Sequence, residues 1–594
     1  MNKICLLIAL MLTTLAGMAQ KIITGVVKDE KGVGVAGATI QEVRNSKNAV
    51  AADEFGKFSI TVPSEKTELL ISAVGFKSLT INAASVAAGA LTLATDEADM
   101  DDVVVVGFAK QKKITNVGAV SSVSGNELRQ SPAASIQNSL AGRLPGLFQQ
   151  QGSGQPGRDG ANIYIRGVSS YASGTTNRPL IIVDDVEFTY AQLNQIDPNE
   201  VESVSILKDA SSTAIYGIKG ANGVIIVTTR RGKQGPPRIT FRTEAGLQMP
   251  TVRRKPLGSY DALLLLKEQA INSGQDPNTA LPGLVTDEAL EHFRLGDKPL
   301  QYPNVNWYDE VMRSGTLQQR NNLDIAGGTN NVKYFVSLGY LFQNGILKDI
   351  DKQEDFNNNY YLRRYSIRSN LDVDVYKGLS LKLDLSSRFN DINEPNLPDV
   401  VPGGAWPFWR RITSGLLTPW KYPVKNEDGS YGGRKGETLN PVGILQYAGY
   451  SRSYSNDLNV NLSAIHKLDF ITKGLQLKGT MAYTNNFNFS RSLTRGRFPV
   501  YEYNASANLF DPVFPELLRI EPLVRGAGNG VPFRRLNTQL IMDYNNKFGK
   551  DHSVYALALF NRSTDVSGSD APANFQGYAA RMGYIFRSKY IVEL

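Results

Sequence analysis

Side chains able to carry covalent chemistry are few and scattered in this 594-residue chain. The three histidines, His292, His466 and His552, lie far apart and form no metal-ligand spacing. The one cysteine, Cys5, falls inside a leader pattern: Lys3 as the positive end, an apolar run from Ile4 to Leu12, and the small-residue site Gly17-Met18-Ala19. Residues 1–19 therefore read as a signal peptide. The exported chain would begin at Gln20, with no thiol, no disulfide and no lipid-bearing cysteine. Gly152-Ser153-Gly154-Gln155-Pro156-Gly157 has the spacing of a dinucleotide loop. Such a loop follows a strand and opens a helix, whereas this one follows a glutamine run, contains Pro156 and leads into a strand, so we read it as a plain loop. With no triad, metal cluster or paired-carboxylate motif in view, no catalytic residue, metal or cofactor is expected.

What the chain offers instead is backbone pairing and aromatic surface. An acidic stretch from Thr95 to Asp102 leads into Val103, Val104, Val105 and Val106, followed by Gly107 and the basic Lys110-Gln111-Lys112-Lys113. The acidic stretch has linker composition. A β-branched run on such a tether suits pairing with another protein's sheet edge, the backbone supplying affinity. The competing use is a buried strand of a neighbouring domain, but the run lies between one finished small domain and the start of another. Trp406, Trp409, Trp420 and Tyr422 share a long connection. Their faces suit sugar stacking or contact with another protein, although packing within a loop is the commoner use.

These segments must be positioned by three kinds of element. Residues 20–95 show short alternating strands broken by polar turns, as in a small β-sandwich. Residues 114–235 mix short helices with buried strands such as Leu180–Val183 and Val224–Thr229, a compact α/β domain. There Asp209 can cap a helix from Ala210 to Tyr216 that Gly217 ends. From Arg238 onward a period of two persists: Tyr365, Ile367, Leu371 and Val373 alternate with Ser366, Arg368, Asn370 and Asp372. One row is apolar and edged by Tyr and Phe, the other polar and often charged, which is the lipid-out, lumen-in pattern of a membrane barrel. Connections near 327–331, 376–378, 469–474, 548–551 and 587–589 are short, and those near 248–318, 344–360, 391–453, 491–533 and 563–575 long, in strict alternation. About ten strands result, with an eleventh starting at Tyr590. The chain stops at Leu594 in mid-strand, and barrels must close in lipid, so the reading is a C-terminally truncated barrel. Lys and Arg exceed Asp and Glu by 8, spread along the chain, with no nucleic-acid-binding segment.

Several stretches resemble known families. The pattern G-V-V-x-D, G-A-T-I, D-E-F-G-K-F and L-I-S-A-V-G-F within residues 22–76 resembles the carboxypeptidase-regulatory-like domain of Bacteroidota outer-membrane receptors, with Arg44-Asn45-Ser46-Lys47 replacing a glycine turn. The stretches I-Y-I-R-G-V-S-S, P-L-I-I-V-D-D-V and L-K-D-A-S-S-T-A-I-Y-G-I-K-G-A-N-G-V-I-I-V-T-T-R-R-G-K within 163–233 resemble the plug of SusC/RagA-type TonB-dependent receptors, with Asp185 where Gly is usual. The resemblance marks Arg166, Gly167, Asp184, Lys208, Asp209, Tyr216, Gly217, Gly220, Asn222 and Gly223 as plug signature residues, and 102–107, Asp102 to Gly107, as the TonB box. It implies a mainly β, multidomain chain: signal peptide 1–19, sandwich 20–95, linker with TonB box 96–113, plug 114–235, and over 236–594 the first half of a transmembrane antiparallel barrel of the 22-stranded class. It also implies outer-membrane import of an oligosaccharide or peptide, with TonB and its inner-membrane energising complex, a SusD-like lipoprotein and outer-membrane lipid as partners. A siderophore or vitamin receptor without the lipoprotein is the alternative.

Overall fold

The computed structural model describes residues 21–94, 103–106, 109–112 and 119–593, apart from 169–176, 349–355, 398–404 and shorter internal stretches. The signal peptide, Asp102 and Gly107 lie outside the described residues. The chain divides into two compact units, one made of residues up to Val104 with Lys110–Asn116, the other of Val105–Ala109 with the chain from Val117 onward.

The first unit is a two-sheet sandwich. Its strands are β1 (Lys21–Asp29), β2 (Thr39–Glu42), β3 (Asn45–Ala51), β4 (Lys57–Val62), β5 (Glu68–Ser72), β6 (Leu79–Asn82) and β7 (Leu91–Leu93). They form sheets β4-β1-β7 and β3-β2-β5-β6. Strict alternation puts Phe58, Ile60 and Val62 of β4 opposite Ile40, Leu69 and Ile71 in one core. Gly25 is required there, because a Cβ would lie 2.6 Å from Val86 Cγ1 and 2.9 Å from Phe58 Cζ.

Two short strands follow, β8 (Val103–Val106) and β9 (Ala109–Lys112), paired with each other. The α/β part of the second unit comprises β10 (Val120–Ser124), β11 (Leu147–Gln151), β12 (Ala161–Ile165), β13 (Leu180–Val183), β14 (Val186–Phe188), β15 (Val201–Leu207) and β16 (Val224–Thr229). Its main sheet has the order β10-β15-β16-β13-β14, with β10 on an edge and β16 central. The run Val224-Ile225-Ile226-Val227 is buried on both faces, as a central strand under helices demands.

The rest is one large antiparallel sheet: β17 (Gly235–Gln248), β18 (Thr316–Gly328), β19 (Val332–Asn344), β20 (Tyr361–Tyr376), β21 (Leu379–Pro395), β23 (Gly449–Lys467), β24 (Leu475–Thr494), β28 (Phe533–Phe548), β29 (His552–Ser567), β30 (Ala573–Phe586) and β31 (Tyr590–Glu593), in that order. The connections carry β22 (Tyr431–Gly432), β25 (Val500–Asn504) and β26 (Leu509–Pro512), which pair with one another, and β27 (Val524–Asn529), which pairs with β24. The polarity of the wall is inverted relative to a soluble sheet. Arg388 is 0% exposed while its neighbour Phe389 is 38% exposed, and Arg368 is 2% exposed beside Ile367 at 48%. A soluble sandwich would bury the apolar row. Burying the charged row and presenting the oily one fits lipid outside and polar contents inside.

Short turns at 329–331, 377–378, 468–474, 549–551 and 587–589 alternate with long connections at 249–315, 345–360, 396–448 and 495–532. The strict alternation fails at the fifth expected long connection. It spans only residues 568–572, because β29 and β30 continue through Thr564, Asp565, Ala573 and Asn574, which pair across the ladder. The first long connection folds into helices of its own, Ser259–Asn272, Pro277–Ala280, Asp287–Leu295 and Trp307–Val311.

Candidate functional site

The valine segment is a strand, β8, and its pairing with β9 leaves two outer hydrogen-bonding edges on a two-stranded ribbon. The chain next enters the plug through Ala119 and β10. Three signature residues meet at that entry. The Asp209 carboxylate accepts a hydrogen bond from the Ala119 amide at 2.7 Å and pairs with the Arg166 guanidinium. Lys208 Nζ donates to Ser121 Oγ at 2.8 Å and to the Pro145 carbonyl at 3.2 Å. The Ala119 amide and Arg166 hold the Asp209 carboxyl below the usual carboxylate range. Arg166 has φ 60° and Gly167 φ 95°, so the backbone turns left-handed immediately after β12 to aim this guanidinium.

The expected helix from Ala210 to Tyr216 needs correction. It runs only over Ala210–Thr213, and Asp209 makes no side-chain cap because its carboxylate is committed to Ala119 and Arg166. A 3₁₀ stretch, Ala214–Gly220, follows, with Gly217 at φ 58° and ψ −145° inside it. That kink leads to Ile215 packing with Ile541, Leu557 and Leu559 of the wall, with Tyr216 alongside. Gly223, at φ 87°, would place a Cβ 2.7 Å from Ile165 Cδ1, and its carbonyl accepts from Leu180 N. Asn222 Nδ2 reaches the Arg178 carbonyl at 3.5 Å. At Gly220 a Cβ would meet the Thr213 carbonyl oxygen at 2.9 Å.

Asp184 and Asp185 form the two-residue loop between β13 and β14, both left-handed at φ 46° and 71°. Aspartate tolerates that region, so the loss of the usual glycine does not break the turn. Asp184 accepts from Thr229 N at 3.0 Å and Thr229 Oγ1 at 2.6 Å. The Asp185 carboxylate pairs with Lys478 of the wall, and its carbonyl accepts from Gln539 Nε2 at 3.0 Å. A glycine there would lack the first of these contacts.

The plug sits against the buried polar row of the wall. Glu200, 1% exposed, accepts from Arg368 Nε at 2.7 Å and Arg388 Nη2 at 3.0 Å. Arg231 spans Asp372 and Asp384 at 2.7 and 2.8 Å, and Arg230 pairs with Asp324 at 2.6 Å. Gln192 reaches Asp457 and Asn459, and Asn199 donates to Asn322 at 2.6 Å. Asp185–Lys478 and Glu187–Arg535 extend the seat to later strands. Sequence reasoning missed these partners. The inward arginines were visible as one row, but nothing local points from Arg368 to Glu200.

Two sequence families match these parts. Residues 23–105 match the CarboxypepD_reg-like domain and residues 112–224 the TonB-dependent Receptor Plug Domain. TonB-dependent receptor P26 of Formosa agariphila is 28% identical over 569 residues, 94% of this chain and 50% of its own length. TonB-dependent receptor SusC of Bacteroides thetaiotaomicron is 27% identical over 552 residues, 85% of this chain and 50% of its own. Along most of its length this chain is similar to SusC-type TonB-dependent receptors. The chain spans about half the length of the curated relatives it matches. Its fold matches the solved RagAB peptide importer in the open-open state with a TM-score of 0.60, at 20% identity, covering 83% of this chain and 55% of that one.

Tyr422 is buried in a core formed by the long connections, Trp409 packs against that core and donates to Tyr360 OH at 2.9 Å, and Trp420 packs on the Leu263–Phe293 cluster. The aromatic cluster is thus used for packing at these three positions.

Proposed function

We propose that the receptor imports an oligosaccharide or peptide across the outer membrane, driven by TonB and assisted by a SusD-like lipoprotein. In this reading 1–19 is a cleaved export signal, 20–95 a periplasmic sandwich, 96–113 the tether with its TonB box, 114–235 the plug and 236–594 barrel wall of the 22-stranded class. The carrying observation is a plug held on the polar face of a wall whose other face is oily. A partner strand added to β8 would transmit tension through residues 107–118 to Ala119. β10 is an edge strand held at its first residues by Asp209 and Lys208, so the load reaches that point first and can peel β10 from β15 pair by pair. The seat is polar and charged, so it holds the plug yet can be rehydrated when it opens.

The test is uptake of labelled oligosaccharide or peptide by cells in which residues 103–106 are deleted. Surface capture should persist and internalisation stop. Undiminished internalisation refutes the coupling. Internalisation of an iron chelate without the lipoprotein would favour the siderophore reading instead.

A further inference from the structure

The outward face of the wall carries a basic girdle beyond its apolar band. Register fixes which residues share that face. Tyr365 opposes Phe389, Arg452 opposes Arg491, Asn485 opposes Arg534 and Thr538 opposes Arg562. Arg363, Arg452, Arg491, Arg534 and Arg562 therefore stand on the same side as the exposed Tyr365, Leu462, Met481, Leu536 and Leu540. Counted from the short-turn end of its strand, each arginine lies between ten residues along (Arg562 from His552) and sixteen (Arg491 from Leu475). A tilted strand crosses the hydrocarbon in about ten residues, so these guanidinium groups emerge at headgroup level on the long-connection side.

A row of rings marks the boundary beneath Arg363, Arg452 and Arg491. Tyr340–Tyr365, Tyr365–Phe389, Phe389–Tyr454 and Tyr454–Phe489 have centroids 5.2, 6.4, 6.1 and 4.8 Å apart, linking five neighbouring strands. Arg452 and Arg491 lie over the Tyr454 ring at 5.1 and 5.7 Å. Among the described residues Asp391 is the one acid on this face at this level, and its carboxylate is taken by a two-pronged contact from Arg452. Arg491 stands directly across from Arg452, a like-charge pair that costs stability unless an anion lies between. Arg491, Arg534 and Arg562 are exposed and have no acid beside them on the face.

We propose that this girdle binds the phosphate groups of lipids in the adjoining leaflet, with acyl chains lying on the apolar band below the rings. Guanidinium forks suit phosphate oxygens, and the rings supply the interfacial ledge. The inference rests on the barrel reading, in which this face meets lipid.

The test uses the full receptor chain in nanodiscs of phosphatidylcholine carrying phosphatidic acid, with retained lipid counted by native mass spectrometry. A triple variant, R491Q/R534Q/R562Q, should hold phosphatidic acid roughly a hundredfold more weakly, with phosphatidylcholine unchanged. Equal retention overturns the proposal. So does displacement by inorganic phosphate, which would mark a free-anion site. Lipid-phase labelling of Leu462→Cys and Met481→Cys is run in parallel. Labelling without an arginine effect sinks only the girdle, whereas failure to label overturns the barrel reading and the girdle with it.

Discussion

Replacing Asp209 by Ala removes the clamp at the plug's entry, and its consequence can be sized. The carboxylate makes one charge-assisted bond to the Ala119 amide at 2.7 Å and one ion pair with Arg166. A charged hydrogen bond contributes about 1.5–3 kcal/mol when shielded, and a solvent-facing ion pair under about 1. The Asp209 side chain is 32% exposed and that of Arg166 57%, so the lower part of the range applies, about 2 kcal/mol in all. Local opening of β10 should then rise about thirtyfold. Hydrogen exchange at Val120–Ser124 reads this directly, with the central Ile225 and Val227 amides as reference. Faster exchange confined to β10 is the expected result. Unchanged exchange, or equal acceleration in β16, would mean that Asp209 does not hold the entry. Because the folded carboxyl titrates below its unfolded value, the clamp is fully present above the ordinary carboxylate pKa, about 4. It weakens only as pH falls through the lower folded value, so β10 protection should be flat between about pH 5 and 7 and drop below about pH 4.

Glu200→Ala strands the buried Arg368 and Arg388 guanidinium groups and should loosen plug seating by about 3–5 kcal/mol, seen as protease access to the plug at lower temperature, with Glu200→Gln milder. Leu462→Arg places a charge in the outward apolar band and should cost about 2–4 kcal/mol in bilayer folding titrations. Asp185→Gly keeps the left-handed turn but frees Lys478, so thermal unfolding of the plug should change by less than about 1 kcal/mol. Gly25→Ala forces a methyl against Val86 and Phe58 and should destabilise the sandwich by about 1–3 kcal/mol in denaturant melts.

The wall was legible in the sequence because a strand writes its two faces on alternate residues. Tyr365 and Ile367 against Ser366 and Arg368 already state which row meets oil. The central plug strands β13 and β16 were legible as apolar runs between turn residues, whereas β11, Leu147–Gln151, was read as a glutamine run and not as a strand, because its side chains are mostly polar. What eluded sequence was whatever depends on partners far along the chain. Asp209 looks like a helix cap by spacing, yet its carboxylate is spent on Ala119, ninety positions earlier. Glu200 reads as a helix-start acid, and its partners lie 168 and 188 residues away. The ends of β29 and β30 were missed for a different reason. Beyond the oily band the alternation fades, and backbone pairing alone carries Thr564 and Asn574. The helices within 249–315 were passed over because the period-two rows on either side drew the reading. Thr286, which caps Asp287–Leu295, was the available signal.

Most of the plug's aliphatic residues face inward: Ile136, Leu140, Leu193, Ile206 and Ile225 pack on one another, and beside the apolar contacts of Ile215 and Ala134 the seam is crossed by many amides, carboxylates and guanidinium groups. Drawing the plug away would therefore wet polar surface far more than oil. Apolar hydration is what gives unfolding its large positive heat capacity, and polar hydration carries the opposite sign. Unseating should then absorb heat with little or even negative change in heat capacity, which separates it in a calorimeter from melting of the plug itself.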